Sequence, residues 1–179
     1  VPIEGLDRAL QSLRDAVPDE QRATEIAHDA ADHAASLITQ RVEQHGRDRH
    51  GRPFKPYAKS TKEQREKRGR QVSFVDLNDS GEMFAAMRTK ALGKGRAMIY
   101  FSDPEQARKA AAHQYGVKRR KTKKGKKSKK GKGKKVLRGI VQAITGRRVL
   151  PKREFFGLTK QEQKEVMALI KDAIRRGRG

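Results

Sequence analysis

The chain has no cysteine and no tryptophan, and only 5% of its 179 residues are aromatic. Without cysteine there can be no disulfide and no thiolate metal site. Hydrophobic residues make up 34% of the sequence, enough for a modest core of the kind that is often completed by assembly. No apolar run approaches the ~18 residues of a membrane span. The opening Val-Pro-Ile-Glu-Gly carries no signal-peptide pattern, so the chain reads as soluble, made inside the cell and without a membrane partner. Acidic residues are also scarce. Twenty-one stand against 44 Lys and Arg, for a formal net charge of +23, a balance that points to a polyanionic partner.

Catalytic signatures are missing as well. There is no Gly-rich phosphate loop, no His-Glu-x-x-His and no Gly-x-Ser-x-Gly. His28 and His33, like His45 and His50, are five residues apart, whereas helical metal pairs stand three or four apart. No enzyme activity, catalytic residue, metal or cofactor is expected, and a nuclease would need an acidic or histidine cluster that the spacing does not offer.

What is present is very uneven charge. Residues 118–135 read KRRKTKKGKKSKKGKGKK, with thirteen basic residues of eighteen and none acidic. Such a tract is expected to be disordered when free. Its cations are the candidate polyanion-binding residues: Lys118, Arg119, Arg120, Lys121, Lys123, Lys124, Lys126, Lys127, Lys129, Lys130, Lys132, Lys134 and Lys135. Lys and Arg on phosphates give salt-sensitive, sequence-independent affinity, and nothing in the tract could read bases.

Along the chain, Ile3, Leu6, Leu10 and Leu13 suggest a short amphipathic segment over 3–16, broken at Val17-Pro18. Asp19 can cap a long helix whose stripe is Ala23, Ile26, Ala27, Ala30, Ala34, Leu37, Ile38 and Val42, with Gly46 just past its end. Residues 47–75 read as an irregular loop in which Phe54 and Tyr57 are anchors, and Thr61 with Gln64 could cap a brief helix through Arg68. Asp79 and Glu82 have capping-box spacing ahead of Met83, Phe84 and Met87. Gly93-Lys94-Gly95 reads as a three-residue hairpin loop between strands 88–92 and 96–102. Asp103-Pro104-Glu105-Gln106 starts a helix that Gly116 stops, with Gln106 closing its box. Residues 136–144 and 146–150 are apolar enough for strands. Thr159 and Glu162 form a further capping box, and Val166, Met167, Leu169, Ile170, Ala173 and Ile174 share a face of the last helix.

Pro151 to Thr159 holds two of the six Phe. Phe155 and Phe156 there read as an aromatic anchor for the last helix. A second reading, compatible with the first, has this loop touching a neighbouring subunit.

Four segments carry a family resemblance. Gly51 to Thr61 resembles a Gly-x-x-Phe-x-Pro loop ending in Ser-Thr, and Leu77 to Met83 a Leu-x-x-Ser/Thr-Gly helix start. Ala112-His113-Gln114-Tyr115-Gly116 resembles a His-x-Tyr-Gly segment, and Pro151 to Thr159 a Pro-Ala-Arg signature in which Lys152 stands where Ala is usual. In this order they resemble the tail-completion, or virion morphogenesis, proteins of Mu-like tailed phages. The resemblance implies a single domain over 1–179, with an α+β fold: a small antiparallel sheet packed against helices, a long N-terminal helix and a C-terminal helix. The basic tract at 118–135 would be an insertion. The resemblance also implies a virion part at the neck, assembled in the host cytoplasm, working as a hexameric ring with copies of itself. Its neighbours would be tail terminator or tail-tube proteins and head-side connector proteins. Phe54, Tyr57, Tyr115, Arg153, Phe155 and Phe156 would anchor loops or subunits, and the tract would meet genome DNA or an acidic neighbouring ring. The alternative is a sequence-independent nucleic-acid-binding protein.

Overall fold

A computed structural model describes residues 19–117 and 150–176. The amphipathic segment at 3–16, the basic tract with its expected disorder, and the strands expected over 136–149 lie outside these residues.

The fold is built along one helix, α1 (Glu20–His45), about 39 Å long at 1.5 Å per residue. Asp19 caps it, accepting from the N–H groups of Gln21 (2.9 Å) and Arg22 (3.3 Å). Gly46 ends it at φ 59°, and its N–H donates to the Val42 carbonyl. Alanine dominates the buried stripe: Ala23, Ala27, Ala30 and Ala34 lie under the neighbouring elements beside Ile26, Ile38 and Val42. Small side chains let backbones approach closely, and α1 packs against both strands of the sheet and against the last helix.

The sheet is one antiparallel hairpin, β1 (Met87–Gly93) with β2 (Arg96–Phe101), paired from Met87↔Phe101 to Gly93↔Arg96. Its loop is shorter than the spacing of glycines suggests. Gly93 is still paired, Leu92 is the extra residue at a bulge, and only Lys94 and Gly95 turn the chain. Gly93, Lys94 and Gly95 all have positive φ (75°, 52° and 61°), which two glycines make affordable. Ala97, Ile99 and Phe101 face the core and Met98 faces out.

Between α1 and the hairpin lie α2 (Lys59–Lys67) and the single turn α3 (Glu82–Ala85). Both starts differ from the capping-box expectation. The first helix begins after Ala58 with no side-chain cap, so Thr61 is already inside it. The second begins at Gly81 (φ 83°), because Asp79 turns instead to Arg65, Arg68 and Arg70 at 3.9, 3.5 and 3.5 Å. Met83, Phe84 and Met87 are buried as their spacing implied, with Met87 opening β1.

After the hairpin comes α4 (Pro104–Tyr115), capped by Asp103, which accepts from the Glu105 N–H at 2.8 Å. Gln106 does not close the box. It is buried and donates to Glu82 Oε2 at 3.2 Å. The last helix, α5 (Lys160–Arg176), buries Val166 and Ile170 against α1. Its capping box forms in both directions: Glu162 Oε2 accepts from the Thr159 N–H at 2.7 Å, and Thr159 Oγ1 from the Glu162 N–H at 3.2 Å.

Candidate functional site

The four motif segments are far apart in sequence; three of them contribute to the core around α1 through Phe54, Leu77, Met83, Phe155 and Leu158. The Pro151–Thr159 loop bonds directly to two of the others, through His113 and Gln114 and through the Lys55 carbonyl. Val117 and Leu150 exchange both backbone hydrogen bonds (2.9 and 3.2 Å), and the Arg153 N–H donates to the His113 carbonyl at 2.8 Å. The Gln114 side chain then brackets Phe156, accepting from its N–H at 3.0 Å and donating to its carbonyl at 3.4 Å. From the other side, the Arg49 N–H donates to the Glu154 carbonyl at 2.8 Å.

Gly116 makes the junction of α4 and this loop. It sits at φ 70°, ψ 162°, a region essentially restricted to glycine, and an added Cβ would lie 2.9 Å from the Lys152 nitrogen and 3.0 Å from the Leu150 carbonyl oxygen. Gly116→Ala is therefore expected to cost about 1–3 kcal/mol in backbone strain, with the steric conflict in addition. Thermal unfolding and faster amide exchange at Val117 and Leu150 would register it.

Three buried arginines lie among the segments, and two of them, Arg41 and Arg65, tie parts of the chain together. Arg41 reaches from α1 into the loop, pairs with Glu162, and donates through Nη2 to the carbonyls of Phe155 (2.7 Å) and Gly157 (2.9 Å). Burial pushes its guanidinium pKa down, and Glu162 opposes that. Glu162 thus serves both the α5 cap and the Arg41 pair. Arg65, on α2, holds both Asp76 carboxylate oxygens through Nη2 (3.0 and 2.8 Å) and donates to the carbonyls of Gln71 and Asn78 at 3.0 Å. Arg153 lies by the Tyr57 ring, 5.6 Å from its centroid, and the Arg65 guanidinium is 4.8 Å from the same centroid. The Tyr57 hydroxyl donates to Asp76 at 2.8 Å, and burial together with Asp76 pushes the phenol up to about 12.

The sequence-derived anchors divide by exposure. Phe54 is buried. Phe155 is wholly buried, edge-on to Phe84 with ring centroids 5.9 Å apart. Phe156 is half-buried against Phe101 at 6.0 Å, and Tyr57 is half-buried beside the arginines. Tyr115 is 58% exposed, with exposed Val117 two residues on, where the chain enters the basic tract. Arg153 is 5% exposed. The thirteen tract cations lie outside the described residues.

Arg41 and Arg65 were not among the residues singled out from sequence. A signal existed for Arg41, which stands seven residues after Ala34 and three after Ile38, within the apolar stripe of α1.

Electrostatics around the loop sets two pH responses. Lys152 first, with His50 and Arg49, holds the Glu154 carboxyl down to about 2. Its contribution is complete above pH ~4.5 and is lost as pH falls towards 2. Burial first, then Arg153, pushes the His113 imidazole down to about 4. The folded protein therefore resists a proton that the unfolded chain takes up near pH ~6.5. Stability is full above that value and declines between pH ~6.5 and ~4, by on the order of 2–3 kcal/mol. His113→Gln is expected to flatten that segment of a urea-midpoint profile.

These features define a small α+β scaffold in which Arg41 ties the 155–157 loop to one long helix and Arg65 ties residues 71–78 to α2. The chain belongs to the phage virion morphogenesis family, whose sequence model matches residues 1–175. It is accordingly a bacteriophage structural protein with a role in building the virion. No curated protein and no solved structure matches it. No helix among the described residues is long and apolar enough to cross a membrane.

Proposed function

We propose that the protein is a neck component that completes the head-proximal end of the tail and joins it, as a hexameric ring, to the DNA-filled head. Family membership over nearly the whole chain carries this reading, and the meeting of three motif segments at the Pro151–Thr159 loop supports it. The partners are copies of itself, tail terminator or tail-tube proteins and the head-side connector. The part is binding rather than catalytic, made in the host cytoplasm and retained in the virion neck. Adding the purified chain to an extract holding filled heads and separate tails should yield joined, infectious particles. An extract that stays unjoined counts against the reading.

The basic tract lies inside the family match, and its thirteen cations suit genome DNA or an acidic neighbouring ring. Its composition also favours the second reading, sequence-independent nucleic-acid binding. Duplex DNA of any sequence is expected to shift in a gel with an affinity that falls steeply with salt, and deletion of 118–135 should remove most of that affinity. An unchanged shift after deletion excludes DNA as the partner of the tract.

A further inference from the structure

Arg41, Arg65 and Arg153 are the buried arginines among the described residues, and two of them have a carboxylate. Arg41 has Glu162 and Arg65 has Asp76. Arg153 has none. Its Nε has no hydrogen-bond partner, its other hydrogen-bond contacts, His113 Nδ1 and the Lys55 carbonyl, are both at 3.5 Å, the outer limit of a hydrogen bond, and its remaining contact is the Tyr57 ring at 5.6 Å. A guanidinium withdrawn from water without a counter-charge is among the least favourable arrangements in a protein interior. Burial pushes its pKa down, and only Tyr57 opposes this.

Arg153 also lines a cleft of about 160 Å³ between residues 48–55 and 152–154. Arg52, Lys55 and Lys152 line it too. The two carboxylates of the cleft are engaged elsewhere. Asp48 accepts from the backbone N–H groups of His50 and Arg52 and pairs with the Arg52 side chain. Glu154 pairs with Arg49, His50 and Lys152.

We propose that Arg153 is the receptor for a carboxylate side chain of a neighbouring subunit, which enters through this cleft. A turn of the guanidinium towards the cleft exchanges two contacts at the distance limit for a bidentate, charge-assisted pair. The cleft is large enough for one carboxylate with its methylene group, since a water occupies ~30 Å³. A cleft of this size admits a single side chain rather than a duplex backbone, so a protein carboxylate fits better than duplex phosphate. An incoming acid would thus supply the counter-charge that Arg153 lacks, which couples docking to the loop. That the donor sits on a neighbouring subunit rests on the virion-joining reading; the receptor itself does not.

The test uses the full ¹⁵N-labelled chain, identifying the Arg153 Nε–H signal as the one missing in Arg153→Met. Sodium acetate is the probe and sodium chloride at equal ionic strength the control. A saturable shift of that signal with acetate alone is expected. No saturable shift, or one reached at lower concentration with inorganic phosphate, overturns the proposal and leaves the joining reading untouched. Arg153→Met should keep or raise the urea midpoint, because it removes an uncompensated charge, whereas a purely structural arginine would lower it. Sedimentation then locates the donor. Self-association that Arg153→Met abolishes is expected and places it on a second copy; self-association that survives Arg153→Met overturns that placement.

Discussion

Arg41→Ala is expected to lower stability by about 3–5 kcal/mol, the cost of breaking a buried ion pair from one side. The substitution leaves Glu162 buried without its cation and removes the donor for the Phe155 and Gly157 carbonyls. Burying two ions is itself unfavourable, so the pair contributes less to stability than its breakage costs. That difference can be measured. Glu162→Gln retains an acceptor for the Thr159 N–H but strands the Arg41 charge. Arg41→Ala combined with Glu162→Gln removes both charges together and should cost less than the two single changes summed, by ~1–3 kcal/mol of coupling. Urea midpoints at unchanged m-value provide the reading. Strict additivity would mean that the Arg41–Glu162 contact does not hold α1, the loop and α5 together.

Phe155→Ala should cost a similar ~3–5 kcal/mol, through lost transfer energy and the cavity left behind. Phe155 has no exposed surface, and its ring meets Phe84 edge-on and Phe156 at 6.1 Å. The loop beneath it carries Arg153 and the carbonyls that Arg41 holds, so the loss extends beyond one side chain. Phe155→Leu keeps most of the volume and should retain well over half of the stability that Ala loses. A loss below ~1 kcal/mol for Ala would indicate that the ring is not packed in the core.

Much of this fold was legible in local spacing. The long helix with its Asp19 cap and Gly46 stop, the Thr159–Glu162 box and the apolar stripe of α5 form as read. Spacing misled where a distant charge competed. Asp79 with Glu82 has the same interval as Thr159 with Glu162, but α2 and the residues just after it bring Arg65, Arg68 and Arg70 to Asp79 and the cap is lost. Gln106 likewise leaves its own helix start for Glu82. The buried arginines were the least legible, because arginine usually reads as surface and its burial here depends on carboxylates and carbonyls remote in sequence. The four motif segments could be recognised as fragments in order. That three of them meet at one loop follows only from the contacts of residues 153–156 with the His113 carbonyl, the Gln114 side chain and the Lys55 carbonyl.

Whether this loop serves the joint between head and tail is tested most directly by negative-stain microscopy of lysates from a phage lacking the gene. Filled heads beside separate tails of normal length are the expected result, with joined particles restored when the gene is supplied in trans. Normal, infectious particles without the gene would contradict the account, and sequence-independent nucleic-acid binding would then be the better reading of the basic tract.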